Sequence, residues 1–276
     1  MLFITVLSGC STISSNGDKE EIKPHVTEIK SIPTAKTQLD KQIKIPDISL
    51  EQPPKFIAIN NIKEKKQAFF EYLYPLIVNA NKEILAFKNK LHLLIQQKQL
   101  NENQSAWLIE QSKLYKITYA EETLLNSAKI IYHKIGVIPA SLALAQAANE
   151  SAWGTSRFAL KGNNYFGQWC YRKGCGLVPK RRTSGSFHEV RKFDHVYDSV
   201  RAYIFNLNSN GAYKALRAKR IKIIATNKPF YGSDLTPTLL HYSERGEHYV
   251  KEINAIIRVN KLSVYDKRLY QDILDF

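Results

Sequence analysis

The chain has 276 residues, 44% of them hydrophobic and 11% aromatic, which is enough apolar side chain for one sizeable core and excludes disorder throughout. Its 40 Lys and Arg against 25 Asp and Glu leave a net charge of +15, so the surface attracts polyanions: nucleic acid, anionic lipid and anionic cell-wall polymer all qualify. The basic residues are spread from Lys180 to Lys222 without zinc-finger spacing, an aromatic RNA-binding signature or a phosphate-binding glycine loop, and no nucleic-acid partner is expected.

The first ten residues end in Leu7-Ser8-Gly9-Cys10, which looks like the lipobox at which bacterial lipoproteins are cleaved and lipidated on cysteine. Met1 to Leu7 carries no Lys or Arg, so the usual basic start of an export signal is missing. Lipidation at Cys10 and a periplasmic chain anchored to the outer membrane are the expectations. Residues 11–58 are polar and dotted with Pro24, Pro33, Pro46, Pro53 and Pro54, and they read as a tether with an end-to-end distance on the order of 40 Å.

From residue 59 the pattern turns helical. One amphipathic helix is expected from Ile62 through Tyr72, stopping or bending near Pro75, and another from Asn81 to Lys98. A third follows Asn103, and Thr118 with Glu121 makes a capping-box pattern for a fourth. Residues 59–135 carry no chemistry of their own and read as helical support for a catalytic core in 136–276.

The segment from Pro139 to Gly154 places proline where a helix starts, alanine and leucine in its body and glycine at its end. Glu150 lies near the end of this apolar helix. A carboxyl beside Ala147, Ala148 and Trp153 reads either as a solvated or salt-bridged helix-end residue or as one whose charged form burial penalises, the second of which suits a proton donor working near neutral pH. After Gly162 the chain becomes loop-like as far as Gly185. Cys170 and Cys175 there either close a small disulfide loop or stay as buried thiols, and histidines His188 and His195 are not spaced for a zinc site. Alternation over 186–196 predicts a short hairpin, and helical periodicity returns from Asp198 to Leu207, Ala212 to Ala218 and Pro237 to Val259.

Two strings raise this reading to a family. Ala145-Gln146-Ala147-Ala148-Asn149-Glu150-Ser151-Ala152-Trp153-Gly154, followed by Gly162-Asn163-Asn164-Tyr165-Phe166-Gly167, resembles the glucosaminidase domain of glycoside hydrolase family 73, and within it the Bax-like group. The resemblance runs from about Ile62 onward and is most specific from Pro139 to Gly176. It implies an α+β, mainly α, lysozyme-like fold with a small β-hairpin and extra N-terminal helices. It also implies a peptidoglycan hydrolase, an endo-β-N-acetylglucosaminidase cleaving the β-1,4 bond after N-acetylglucosamine.

Carried over by the resemblance, Glu150 is the general acid of the "ESxWG" string. Asn164, Tyr165, Phe166 and Gly167 fall on the family's cleft-floor string, where rings can stack on sugar faces, with ordinary core packing the other reading of Phe166. Glu189, on the predicted hairpin, is the candidate second catalytic carboxylate. Asp194 and Asp198 compete with it, and Asp198 also reads as a helix cap. Tyr242 and Tyr249 match the family's tyrosine-bearing segment, in which a phenol faces the cleft. No metal or cofactor is implied, and the expected form is a monomer acting on glycan strands. The alternatives are a lytic transglycosylase, which usually carries a Gly-Leu-Met-Gln string absent here, and a non-catalytic wall-binding module.

Overall fold

The computed structural model describes residues 52–117, 124–180, 187–227, 229–240 and 242–274. Cys10, the tether up to residue 51 and the Thr118/Glu121 capping pair lie outside the described residues. Among those described, no helix is long and apolar enough to cross a membrane.

Helix α1 (Ile62–Ile95) is the longest element, capped by Asn61, whose side chain accepts from the N–H groups of Lys63 and Glu64. Pro75 sits inside it, and the expected break is absent: one helix spans both predicted segments. An interior proline costs about 3 kcal/mol. Here Leu73, Tyr74, Leu76 and Ile77, on both sides of Pro75, are all buried in one core, and burying a large apolar side chain returns about 1.5–3 kcal/mol each. Asn81, read from sequence as a helix start, is instead buried in mid-helix. Its amide donates to the Ile138 carbonyl at 3.0 Å and accepts from the Ile138 N–H at 2.9 Å.

The N-terminal half of α1 shares a core with helices α4 (Ala140–Ser151), α6 (Val196–Ser209), α9 (Glu247–Val259) and α10 (Ser263–Leu274). Its C-terminal half packs with α2 (Glu102–Leu114) and α3 (Leu124–Lys134) in a second cluster around Leu91, Leu108, Tyr115 and Ile131. The junction of α3 and α4 is clamped by a buried guanidinium. Arg220 of α7 (Lys214–Ile224) donates to the Lys134 and Gly136 carbonyls and to the Asn208 side chain.

Helix α4 is almost wholly buried because its alanines let neighbours approach closely. It ends at Ser151, and the chain then runs through three successive left-handed residues, Ala152, Trp153 and Gly154. The short α5 (Arg157–Gly162) follows. The predicted hairpin is corrected to a three-stranded antiparallel sheet of β1 (Trp169–Cys170), β2 (Gly176–Leu177) and β3 (Glu189–Arg191), in the order β1-β3-β2. Both flanking strands come from the glycine-rich stretch read as loop, since two-residue strands carry no visible alternation. The helix expected from Pro237 begins only at Glu247. Before it lie α8 (Gly232–Leu235), a 3-10 turn over Thr236–Thr238, and turns. The architecture is α+β and mainly α with a small sheet, as the sequence implies.

Candidate active site

Glu150 occupies the last turn of α4 and is partly exposed, so its carboxyl is reachable yet largely surrounded by protein. Burial pushes it above the ordinary carboxylic value. A hydrogen bond from Tyr249 and the charge of Arg245 pull it back, and Glu252 adds to the rise.

One helical turn earlier, Gln146 points to the same face and is fully buried. Its Oε1 accepts from the Tyr203 hydroxyl at 2.7 Å, and its Nε2 donates to the Tyr249 oxygen at 2.8 Å. With its oxygen taken by that donor, Tyr249 has its own hydrogen left for Glu150, with which it is hydrogen-bonded. The chain Tyr203, Gln146, Tyr249, Glu150 is therefore directed, each hydroxyl having one outlet. Tyr242 stacks on Tyr249 with centroids 5.3 Å apart, and its hydroxyl donates to the Phe166 carbonyl at 3.3 Å. Arg245 pairs with Glu252 at 2.6 Å and lies over the Tyr249 ring. A groove of about 520 Å³ opens beside Asn149 and Glu252, walled by Lys66, Trp153 and Ile256.

The predicted residues divide into two groups. Glu150, Gly167, Tyr242 and Tyr249 come together. Gly167 has φ +66°, and a Cβ placed there would lie 3.3 Å from Glu150 Oε2, so glycine serves both the turn and the close approach of the loop to the acid. Tyr165 and Phe166 are corrected: both rings are buried, Tyr165 against Phe69 and Phe166 stacked on Tyr203 at 4.0 Å, and they offer no face to a sugar in this structure. Asn164 is likewise buried. It ties the loop by donating to the Gln168 and Arg191 carbonyls and accepting from the N–H groups of Phe166 and Gln168.

Glu189 is buried in the sheet, where its two oxygens accept from the N–H groups of Gly174 and Gly176 at 2.9 and 2.8 Å. Those bonds brace the loop closed by the Cys170–Cys175 disulfide. The two sulfurs and the Glu189 carboxylate lie within 4.8 Å of one another, but sulfurs joined to each other offer no thiolates to a metal. Asp198 caps α6 by accepting from the His195 N–H, and Asp194 is exposed.

Sequence reasoning missed Gln146, Tyr203, Arg245 and Glu252. Gln146 was within reach, since helix periodicity puts residue i−4 beside Glu150. The others approach from distant segments.

The residues of this site fall inside the match to a protein-family model. Residues 125–262 match the glucosaminidase model, described as mannosyl-glycoprotein endo-beta-N-acetylglucosaminidase. The chain is 29% identical to Protein bax of Escherichia coli (strain K12) over 197 residues, which is 71% of this chain and 70% of that protein. It is also 29% identical over 158 residues to the exo-glucosaminidase LytG of Bacillus subtilis (strain 168), covering 53% of this chain and 52% of that protein. No solved structure gives a match.

Proposed function

Because the chain belongs to the glucosaminidase family, we propose that it is an endo-β-N-acetylglucosaminidase of peptidoglycan, with Glu150 as the general acid. The observation that carries this reading is the setting of Glu150: a partly exposed carboxyl, raised by burial, closely approached by Gly167 and held by Tyr249. Such an acid delivers its proton to the glycosidic oxygen as the bond to the sugar carbon breaks and positive charge builds on the ring. Water completes the cleavage.

Both Glu189 oxygens bond the sheet loop, which supports a bracing role for that residue. Glu252 is the carboxylate placed to act electrostatically on Glu150. The lipobox-like string ending in Cys10 supports a lipid-anchored, periplasmic placement, and a disulfide suits an oxidising compartment.

Purified peptidoglycan digested with the full chain, reduced with borohydride and read by mass spectrometry tests the proposal. Reduced N-acetylglucosamine ends are expected, and Glu150→Gln should lower their rate of appearance by about 10²–10⁴-fold. Anhydromuramic ends would instead indicate a transglycosylase, and an undiminished rate in Glu150→Gln would remove that residue from the chemistry. The family description carries "endo" and the Bacillus subtilis relative "exo", so the length of the released fragments decides between them.

A further inference from the structure

Three exposed aromatic side chains lie in the sheet or next to its strands, and the site at Glu150 does not use them. Trp169 is 54% exposed, Tyr171 75% and Phe187 81%, a high exposure for large apolar rings. Trp169 is the braced member. Its indole lies parallel to the His188 imidazole, with centroids 4.0 Å apart and planes 13° apart, so one face of the indole is backed by that ring.

The base beneath Trp169 is fixed. Trp169 pairs with Val190 across the ladder, Cys170 is bridged to Cys175, and Gln168 donates to the Ser199 carbonyl at 2.8 Å. A rigid aromatic plate loses little entropy on binding.

Position and charge name the occupant. Trp169 follows Gly167, the residue against Glu150 Oε2, by two positions, a chain reach of at most ~7 Å. The backbone that carries the plate therefore starts within that reach of the acid site. In the same sheet and its loops Arg172, Lys173, Lys180, Arg191 and Lys192 are exposed, while the carboxylate of Glu189 is buried and bonded to the loop. An apolar plate on a segment whose exposed charges are mostly cationic fits the hydrophobic face of a pyranose ring in a chain that also bears carboxylates.

We infer that Trp169, backed by His188, is a sugar-stacking subsite that holds an N-acetylhexosamine ring of an anionic glycan beside the ring cleaved at Glu150. The inference rests on the reading of Glu150 as an acid acting on glycan.

The test uses the full chain carrying Glu150→Gln, titrated calorimetrically with soluble, uncross-linked peptidoglycan strands. Adding Trp169→Ala should weaken binding about tenfold, equivalent to ~1.4 kcal/mol. Trp169→Phe should recover most of the affinity, and His188→Ala, which removes only the backing, should lose less than Trp169→Ala. In the active chain, Trp169→Ala should raise KM on the same strands. Circular dichroism checks the fold of each variant, and the Phe and His188 variants carry the test if the alanine variant fails that check. Equal affinity in all variants, or Trp169→Phe no better than Trp169→Ala, would overturn the subsite. Full activity in Glu150→Gln would remove the acid assignment instead, a failure that the binding series distinguishes.

Discussion

Glu150 is marked in the sequence by its neighbours, but what tunes it is not. The words on either side of it lie on one helix and one following loop, so their spacing survives folding. Tyr203 and Tyr249 reach Gln146 from 57 and 103 positions away, and no local period encodes such a meeting. The two rings of the Asn164–Gly167 string were misplaced for the complementary reason: an aromatic residue looks the same in sequence whether it lines a cleft or fills a core. Tyr249 offers a residue-scale prediction. Its hydrogen bond lowers a carboxyl that burial raises, so Tyr249→Phe leaves burial less opposed and lifts Glu150 further. The acid works protonated, and kcat/KM falls as pH rises through its pKa. The alkaline limb of the pH profile should therefore move to higher pH in Tyr249→Phe. A limb that stays in place or moves down would mean that the phenol does not donate to Glu150.

At the scale of elements, the starting direction of α4 was legible and its anchor was not. Pro139 provides no side-chain cap; the N-terminus is held by Asp266 of α10, a helix the sequence reading did not identify. Fully buried, Asp266 accepts from the Ser141 N–H at 2.7 Å, the Ser141 hydroxyl at 2.6 Å and the Gly232 N–H at 3.1 Å. The same contact explains Gly232, where a Cβ would run into Ser141 Oγ and the Leu142 backbone. Burial pushes the Asp266 carboxyl from 3.8 to about 6, against the pull of its three donors. In that window the folded chain keeps a proton that the unfolded chain has released. The stabilisation linked to this proton is full below pH 3.8 and is lost as pH rises through about 6. Urea unfolding of the wild type and Asp266→Asn at pH 4 and pH 7 reads it out, because the difference between them removes most other titrations. The stability advantage of the wild type should shrink by about 1–3 kcal/mol from the lower to the higher pH, at ~1.4 kcal/mol for each pH unit that separates the folded and unfolded pKa. An advantage that grows with pH would show that the three donors prevail and that the fold prefers the ionised carboxylate.

At the scale of the whole molecule, the mainly α class was legible from periodicity and composition, while the continuity of α1 through Pro75 was not, because burial on both sides of the proline decides it. The net charge of +15 is a property of the entire chain and needs no fold to be read. Its consequence depends on range. Charges spread over a surface act beyond contact distance and are screened with a Debye length of ~10 Å at 0.1 M salt and ~3 Å at 1 M. The Glu150 site, by contrast, works through hydrogen bonds and burial at contact distance, where salt has little reach. Raising salt from about 0.05 to 0.5 M should therefore slow the digestion of intact, anionic peptidoglycan several-fold, mainly through weaker capture. Cleavage of a short, neutral N-acetylglucosamine oligomer should change far less. The two rates measured across a salt series separate the contributions: parallel decline would place the salt effect in the site itself, and no decline on either substrate would leave the charge without a part in substrate capture.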